Sequence, residues 1–365
     1  MKIDPRPVIA YFISAHGLGH AARAAAVMAA VHRSVPQVRF EIFTSVPRWF
    51  FDDCLTGPFA CHALQTDVGL IQKSPLKEDL PATIEALGAF YPLDEQRVRA
   101  VAANVRDMGC RLVVCDIAPL GIAVARQAGL PSVLVENFTW DWIYAGYAEY
   151  AGGLNPHIEY LQELFGRADY HIQAEPVCGP VSADLTVAPI GRASRRTAEH
   201  TRRQLAVPRD RQLVVLTLGG TAASPGRLAL DGLPADVCLV APGSSQALER
   251  TGRLLRLPQR SGVYHPDLIR AADAVIGKAG YSTLAEIYQA NAPFGYVSRV
   301  DFREAPVLEA FARKNLRCLK VPAGALEDGS WTALIPSLTT LPKSGTRRAN
   351  GAEQAGAFLL EILFQ

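Results

Sequence analysis

Val8–Ser14 (VIAYFIS), Ala15–Arg23 (AHGLGHAAR) and Ala24–His32 (AAAVMAAVH) follow one another without a break, and their succession decides the fold class. The first run, β-branched and aromatic, predicts a buried strand; the alanine-rich run from Ala21 predicts a helix. Between them, HGLGH sets His16 and His20 around Gly17 and Gly19. Glycines at a strand-to-helix turn let the chain reverse sharply and let another molecule come close. A turn of this kind, at the carboxyl end of a parallel strand, is where open α/β sheets bind ligands. Histidine titrates near neutral pH, so both histidines are candidates for proton transfer. A turn histidine also serves as an ordinary cap or surface residue, and a Gly-x-Gly turn alone does not choose between the two. The dinucleotide fingerprint requires a third glycine in the region where Ala22 and Arg23 stand, which disfavours a nicotinamide-binding half.

The 365 residues suffice for two domains with proper cores. A hydrophobic fraction of 49%, a charged fraction of 20% and a mean hydropathy of +0.10 suit a packed α/β enzyme and exclude a disordered chain. With a formal net charge of +2 there is no bulk field for nucleic acid or acidic membranes. The one basic stretch, Gly191–Gln204, carries Arg192, Arg195, Arg196, Arg202 and Arg203 and fits a solvated helix face or linker. Seven scattered cysteines show no two-residue spacing of a zinc or redox site; Cys115 and Cys238 lie in apolar runs as small buried hydrophobes. The start, MKIDPRPV, is unlike a signal peptide, and no stretch approaches the roughly 20 apolar residues of a membrane span. A reducing cytoplasm is the expected setting.

Strands and helices alternate through the first half: RFEIFTS (39–45), QRVRAVAANVRDMG (96–109), RLVVCDIAP (111–119), LGIAVARQAG (120–129) and PSVLVEN (131–137). This order predicts a parallel sheet covered on both faces. The pattern restarts with QLVVLTLGG (212–220), VCLVAPGSS (237–245), SGVYHPDLIRAADAVIGKAG (261–280) and APFGYVS (292–298). TLAEIYQA (283–290) and REAPVLEAFARK (303–314) supply helical periods. The expected organisation is a domain over 1–185, a Pro-, Gly- and Arg-rich linker over 186–210, and a second domain over 211–345. An apolar C-terminal helix over 346–365 would pack back on the first domain. Two doubly wound, Rossmann-like α/β domains facing each other across a cleft is the architecture expected.

Asp116 ends the strand VVCD, where a carboxylate can hold an imidazole in one tautomer and raise its basicity, or can simply cap the next helix. ENFTWDWIYAGY (136–147) puts Trp140, Trp142, Tyr144 and Tyr147 around Asp141. These aromatics suit a sugar-stacking or apolar acceptor surface, with Asn137 and Asp141 as hydrogen-bonding partners, or they cap the core. In LGGTAAS, Gly219, Gly220 and Thr221 offer backbone amides to a phosphate but lack the Gly-Lys-Ser/Thr ending of a P-loop. IGKAGYSTLAE (276–286) reads as strand, glycine turn, Ser282 and Thr283 as cap, then a helix whose N-terminus suits a diphosphate. Glu286, one turn in, can reach a ribose diol or complete a capping box.

HGLGHAAR, CDIAP, ENFTWDWIYAGY, GKAGYSTLAE and SRVDFREAPVLE, in this order, resemble the glycosyltransferase-like region that precedes the kinase domain of plant L-arabinokinase. More distantly they resemble the two-domain GT-B glycosyltransferases, including the enzyme that adds N-acetylglucosamine to lipid I and the plant UDP-sugar transferases. The resemblance spans roughly Val8 to Leu308, without the kinase part. It implies His20 as general base and Asp116 as its orienting carboxylate. It also implies Gly277, Gly280, Ser282 and Thr283, with Lys278, around the diphosphate, and Glu286 at the uridine ribose. Gly17, Gly19 and Val263 join the expected nucleotide-sugar residues. Phe302, Arg303 and Glu304 fall at the donor sugar, where Arg303 and Glu304 replace the usual acid-glutamine signature and leave the sugar open. His16, Asn137, Asp141 and Trp142 are the expected acceptor residues.

The function expected is therefore a metal-independent, inverting transfer of a sugar from a nucleotide diphosphate, foremost a UDP-sugar, to an acceptor hydroxyl. The nucleotide sugar is a co-substrate, with no separate cofactor. The acceptor, whether small molecule, lipid or protein, stays open; nucleic acid is not a partner. A dTDP- or GDP-sugar donor, and a non-catalytic sugar-nucleotide sensor, are the alternatives.

Overall fold

The computed structural model describes residues 7–74, 77–149, 151–217, 232–298, 302–322, 324–342 and 348–365. The chain divides into two compact units: Met1–Ile190 with Asn350–Gln365, and Gly191–Ala349.

In the first unit, β1 (Val8–Ile13), β2 (Arg39–Thr44) and β3 (Phe59–Ala63) are followed by a small antiparallel ladder of β4 (Gln72–Ser74) and β5 (Lys77–Glu78). Then come β6 (Cys110–Asp116), β7 (Ser132–Glu136), β8 (Tyr170–Ala174) and β9 (Leu185–Val187). The main sheet has the order β3-β2-β1-β6-β7-β8-β9, with every pairing parallel. The order runs outward in both directions from β1 and β6. Right-handed crossovers then put the helices of the two halves on opposite faces and leave a ligand-binding switch point at the carboxyl ends of these two strands.

Burial on both faces explains the apolar runs: Ile9 through Ile13 and Leu112 through Asp116 have no exposed surface. The helix Gly19–Ser34 lies beside β1 with Ala21, Ala24 and Ala25 buried. Its outer side meets the C-terminal helix Gly351–Leu363, where a Cβ on Gly356 would stand 3.2 Å from that of Ala30. Gly121 is needed for the same closeness, since a Cβ there would come within 2.6 Å of the Cys115 sulfur. The stretch 186–210 is not a free linker. It completes β9, then carries the helix Ala198–Gln204, whose Arg202 donates to Asp273 at 2.9 Å.

In the second unit, β10 (Gln212–Thr217), β11 (Val237–Ser245), β12 (Glu249–Thr251), β13 (Leu254–Pro258), β14 (Ala274–Lys278), β15 (Phe294–Val297) and β16 (Cys318–Lys320) form one sheet. Its order is β12-β13-β11-β10-β14-β15-β16, parallel except for β12 against β13. Here the order reverses between β10 and β14, so Thr217 and Lys278 end the strands at the switch point. Val214, Leu216, Leu239, Ile276 and Trp331 belong to the core packed on this sheet. Among the described residues no helix is long and apolar enough to cross a membrane.

Gly277 pairs with Thr217 in the middle of this sheet, and a Cβ on it would overlap the Thr217 carbonyl oxygen. The glycine is thus required by the strand packing itself, whatever else it touches. Gly277→Ala should cost about 1–3 kcal/mol of stability through overpacking, read as a lower urea midpoint. Gly280→Ala, whose Cβ would meet the Lys278 Cε at 3.8 Å, should lower the midpoint less, by the N-cap preference of about 0.5–1 kcal/mol alone.

Candidate active site

The register of the first sheet puts Ile13 beside Asp116, and the Ser14 amide donates to the Asp116 carbonyl at 3.2 Å. The chain leaving β1 turns through Gly17, whose φ of +73° suits glycine, and enters the helix at Gly19. Three residues apart on that helix, His20 and Arg23 project from one face. Both reach Asp116.

The Asp116 carboxylate is 0% exposed and Arg23 is 1% exposed. Arg23 Nε donates to Oδ2 at 2.8 Å and Nη2 to Oδ1 at 2.6 Å, a two-pronged grip. Its third prong, Nη1, donates to Asn137 Oδ1 at 2.6 Å. His20 Nδ1 lies 2.9 Å from Asp116 Oδ1. Burial opposes ionisation of Asp116, but the Arg23 charge and hydrogen bonds from Arg23 and His20 outweigh it and hold the carboxyl below its ordinary range. An ionised carboxylate only accepts, so Nδ1 donates its proton to Oδ1, and the other ring nitrogen carries the lone pair. Arg23 Nη2, 3.2 Å from the same Nδ1, is then a close neighbour and not a second hydrogen bond. The next residue, Ile117, has φ +41°, an unfavourable value for a β-branched residue and a sign of backbone strain beside the carboxylate.

The aromatic segment divides into two roles. Trp140 and Tyr144 are buried and stacked with centroids 5.8 Å apart. Trp140 Nε1 donates to Asp67 Oδ2 at 2.7 Å and the Tyr144 hydroxyl donates to the Gly69 carbonyl at 2.7 Å. They are core pillars that hold the segment around Asp67–Gly69 against the His16 turn, and His16 itself sits edge-on to Trp140 at 5.1 Å. Asp67 is buried, and burial pushes its carboxyl up despite hydrogen bonds from Ser14, Trp140 and the Ala15 amide. Of the expected acceptor residues, His16, Asp141 and Trp142 keep exposed surface. Asn137 does not: fully buried, it spends its amide on Arg23 and on the Cys178 sulfur, so it belongs beneath the site and not in its wall. Arg23 and Asp67 are the members that sequence reasoning did not single out. The Arg in HGLGHAAR gave no signal by itself, since one arginine in an alanine-rich helix looks like a solvated charge.

In the second unit, the helix after β14 runs Tyr281–Ala290, with Gly280 as its N-cap and no side-chain capping bond. Ser282 and Thr283 therefore lie inside the first turn and do not cap it, because Tyr281 is drawn into the helix by its own burial. Lys278 ends β14 three residues before the helix. Glu286 was expected at a ribose diol or in a capping box. It is 3% exposed, with Oε1 accepting from Arg192 Nε at 2.7 Å and Oε2 paired with His265 Nδ1 at 2.7 Å. Tyr264, between Val263 and His265, has the guanidinium carbons of Arg192 and Arg195 at 5.3 and 4.3 Å from its ring centre. The Val263 amide donates to Ser261 Oγ at 3.2 Å. Glu304 is buried at the start of the helix Ala305–Asn315, and Arg303 beside it is half-buried. Gly219, Gly220 and Thr221 lie outside the described residues.

Burial alone would raise the Glu286 carboxyl; Arg192 and His265 more than offset it and hold it at about 2 against an ordinary 4.5. A depressed folded value means that this group stabilises the fold fully above about pH 4.5 and loses that contribution as the pH falls towards 2. The expected loss is on the order of 3 kcal/mol. Glu286→Gln should cost about 3 kcal/mol at neutral pH, since it removes the buried charge that Arg192 and His265 share, and should flatten the acid slope. Urea midpoints of both proteins across pH 2–7 test this.

No family model matches the chain. It is 28% identical over 360 residues to L-arabinokinase from Arabidopsis thaliana, which covers 97% of this chain and 34% of that protein. The chain thus spans about a third of the length of that relative. Among solved structures it resembles MurG from Acinetobacter baumannii, with a TM-score of 0.51 and 18% identity over 99% of both chains. A UDP-glucosyltransferase from Polygonum tinctorium matches with a TM-score of 0.57 and 13% identity, again over 99% of both chains. Spinosyn forosaminyltransferase SpnP gives 0.58 and 14%, over 99% of this chain and 100% of the other. With two parallel-sheet units in succession, the chain has the α/β fold of the GT-B glycosyltransferases.

Proposed function

We propose that this chain is an inverting glycosyltransferase that moves a sugar from a nucleotide diphosphate to an acceptor hydroxyl. The observation that carries the reading is the imidazole of His20, held at Nδ1 by a buried, ionised Asp116 at the switch point of the first sheet. That arrangement leaves the second ring nitrogen as a base. In the reaction the acceptor hydroxyl gives its proton to His20 Nε2, and its oxygen forms the new bond to the anomeric carbon. The bond from that carbon to the diphosphate oxygen breaks on the opposite face, so configuration inverts. The nucleoside diphosphate departs with the electron pair.

The donor side is assigned to the second unit. The Lys278 ammonium and the first amides of the helix Tyr281–Ala290 suit the leaving diphosphate, in place of a cation. A UDP-sugar is the donor favoured, in line with the UDP-glucosyltransferase among the structural relatives; another, VinC, was solved with dTDP, which keeps a dTDP-sugar as the alternative. Asp141 and Trp142, half-buried at the start of the helix Trp140–Ala145, are assigned to the acceptor together with His16.

A panel of nucleotide sugars, scored by release of nucleoside diphosphate, tests the reading directly. His20→Ala should lower turnover by about 10²–10⁴ and leave nucleotide affinity by calorimetry unchanged. Binding without release from any donor and acceptor pair would instead mark a sensor. Turnover should also survive EDTA, because Lys278 and the helix amides neutralise the leaving group; activity lost on chelation and restored by Mg²⁺ or Mn²⁺ would contradict that assignment.

A further inference from the structure

Arg23 takes no part in the transfer steps, yet it is buried against the very carboxylate that orients the base. Within the group formed by His20, Arg23, Asp116 and Asn137, the charges sum to zero only if His20 is neutral: one guanidinium cancels one carboxylate. We infer that Arg23 is a positioning residue whose charge keeps the His20–Asp116 pair one proton short, so that His20 Nε2 holds the lone pair a base requires. The inference rests on the reading of His20 as the base and adds what sets its protonation state.

The reasoning is a count of charge in a closed space. Without the guanidinium, neutral His20 and ionised Asp116 leave one negative charge with no surface to hydrate it, and a buried uncompensated charge takes up a proton. That proton has two places to go. On the imidazole it occupies Nε2 and makes an imidazolium. On Asp116 it turns the carboxyl into a donor towards Nδ1, and the ring's own proton moves to Nε2. Both routes end with Nε2 protonated and the base lost.

The other groups facing this cluster do not replace Arg23. From β1, Tyr11 faces Asp116 and Arg23 with a phenol that burial keeps neutral. Cys115, next to Asp116 on β6, is likewise raised by burial. From the segment before β4, Asp67 interacts electrostatically with His20, but it is an acid and supplies no positive charge. The Cys178 sulfur accepts from the Asn137 amide and supplies no positive charge. His16 packs edge-on against the ring of Trp140.

The test uses the full chain labelled with ¹⁵N-histidine, because nitrogen shifts tell a protonated Nε2 from a bare one without any need for turnover. At pH 7 the unsubstituted protein should show His20 Nε2 bare, and Arg23→Gln should show it protonated. The acid limb of the kcat/KM profile should move up by about 1–3 pH units in Arg23→Gln, a loss of roughly 10- to 1000-fold at pH 7 that alkaline pH recovers. His20→Ala should not recover. Arg23→Lys, which keeps the charge and loses the fork, should keep Nε2 bare. If Arg23→Gln does not fold, Asp116→Asn probes the same balance from the other side: with Arg23 uncompensated, His20 should take up its proton only at lower pH than in the unsubstituted protein. A bare Nε2 in folded Arg23→Gln, or an unmoved His20 titration in Asp116→Asn, overturns the inference. A protonated Nε2 with turnover intact upholds the charge balance and overturns His20 as the base.

Discussion

The negative charge on Asp116 is the constraint around which the first unit is arranged. A carboxylate with no exposed surface is costly to ionise, and it stays ionised here because a guanidinium grips both oxygens. The geometry follows from local rules. Parallel pairing of β1 with β6 ends both strands at the same level, and the glycine turn starts the helix within two residues of Gly17. The three-residue spacing then brings His20 and Arg23 to one carboxylate. Strain at Ile117 is part of the cost of holding that carboxylate where the strand ends.

The second unit solves a similar problem with different partners. Glu286 sits on a helix at its own sheet's switch point and is as deeply buried, but its two oxygens are divided between an arginine and a histidine. Arg192 lies 94 residues away in sequence and His265 lies 21 away. In the first unit the histidine and arginine come from one helix and the carboxylate from a strand; in the second the carboxylate is on the helix. The shared logic is that a buried acid is kept ionised by one arginine and by a hydrogen bond with one histidine, so each carboxylate is held in place before any ligand arrives.

The strands that could be read in the sequence are the ones buried on both faces. VIAYFI, RLVVCD and SVLVE are unbroken apolar runs because both sides of the sheet are covered there. β3 (FACHA) and β8 (YHIQA) lie towards the sheet edges and carry His62, and His171 with Gln173, which hides their period; β9 (LTV) at the edge is too short to show one. His20 with Asp116 could be found because a glycine turn and a strand end both mark a site. Arg23 could not: one arginine in an alanine-rich helix looks like a solvated charge until a strand 93 residues later is paired beside it. For the same reason, Arg192 reads as part of a basic linker and Glu286 as a ribose ligand or a capping-box residue, with no sign of their pairing. The aromatic cluster failed differently. Trp140 and Trp142 are two residues apart on a short helix, so their side chains point in different directions, and only the first is fully buried.

The alanines of HAARAAAVMAAVH acquire a purpose in this light. A helix of large side chains would stand off from the sheet, and Arg23 would then reach Asp116 only through water. Alanine keeps the helix low on β1, while the C-terminal helix covers its other side, so nearly every position from His20 to Val31 is buried. An arginine in that environment has no path to solvent and must pair inside the protein. The small residues thus do more than fill space: by closing the helix against the sheet on one side and against Gly351–Leu363 on the other, they exclude the water that would otherwise screen the Arg23–Asp116 pair. In a screened site that pair would be weak; in the closed one guanidinium and carboxylate act on each other at full strength.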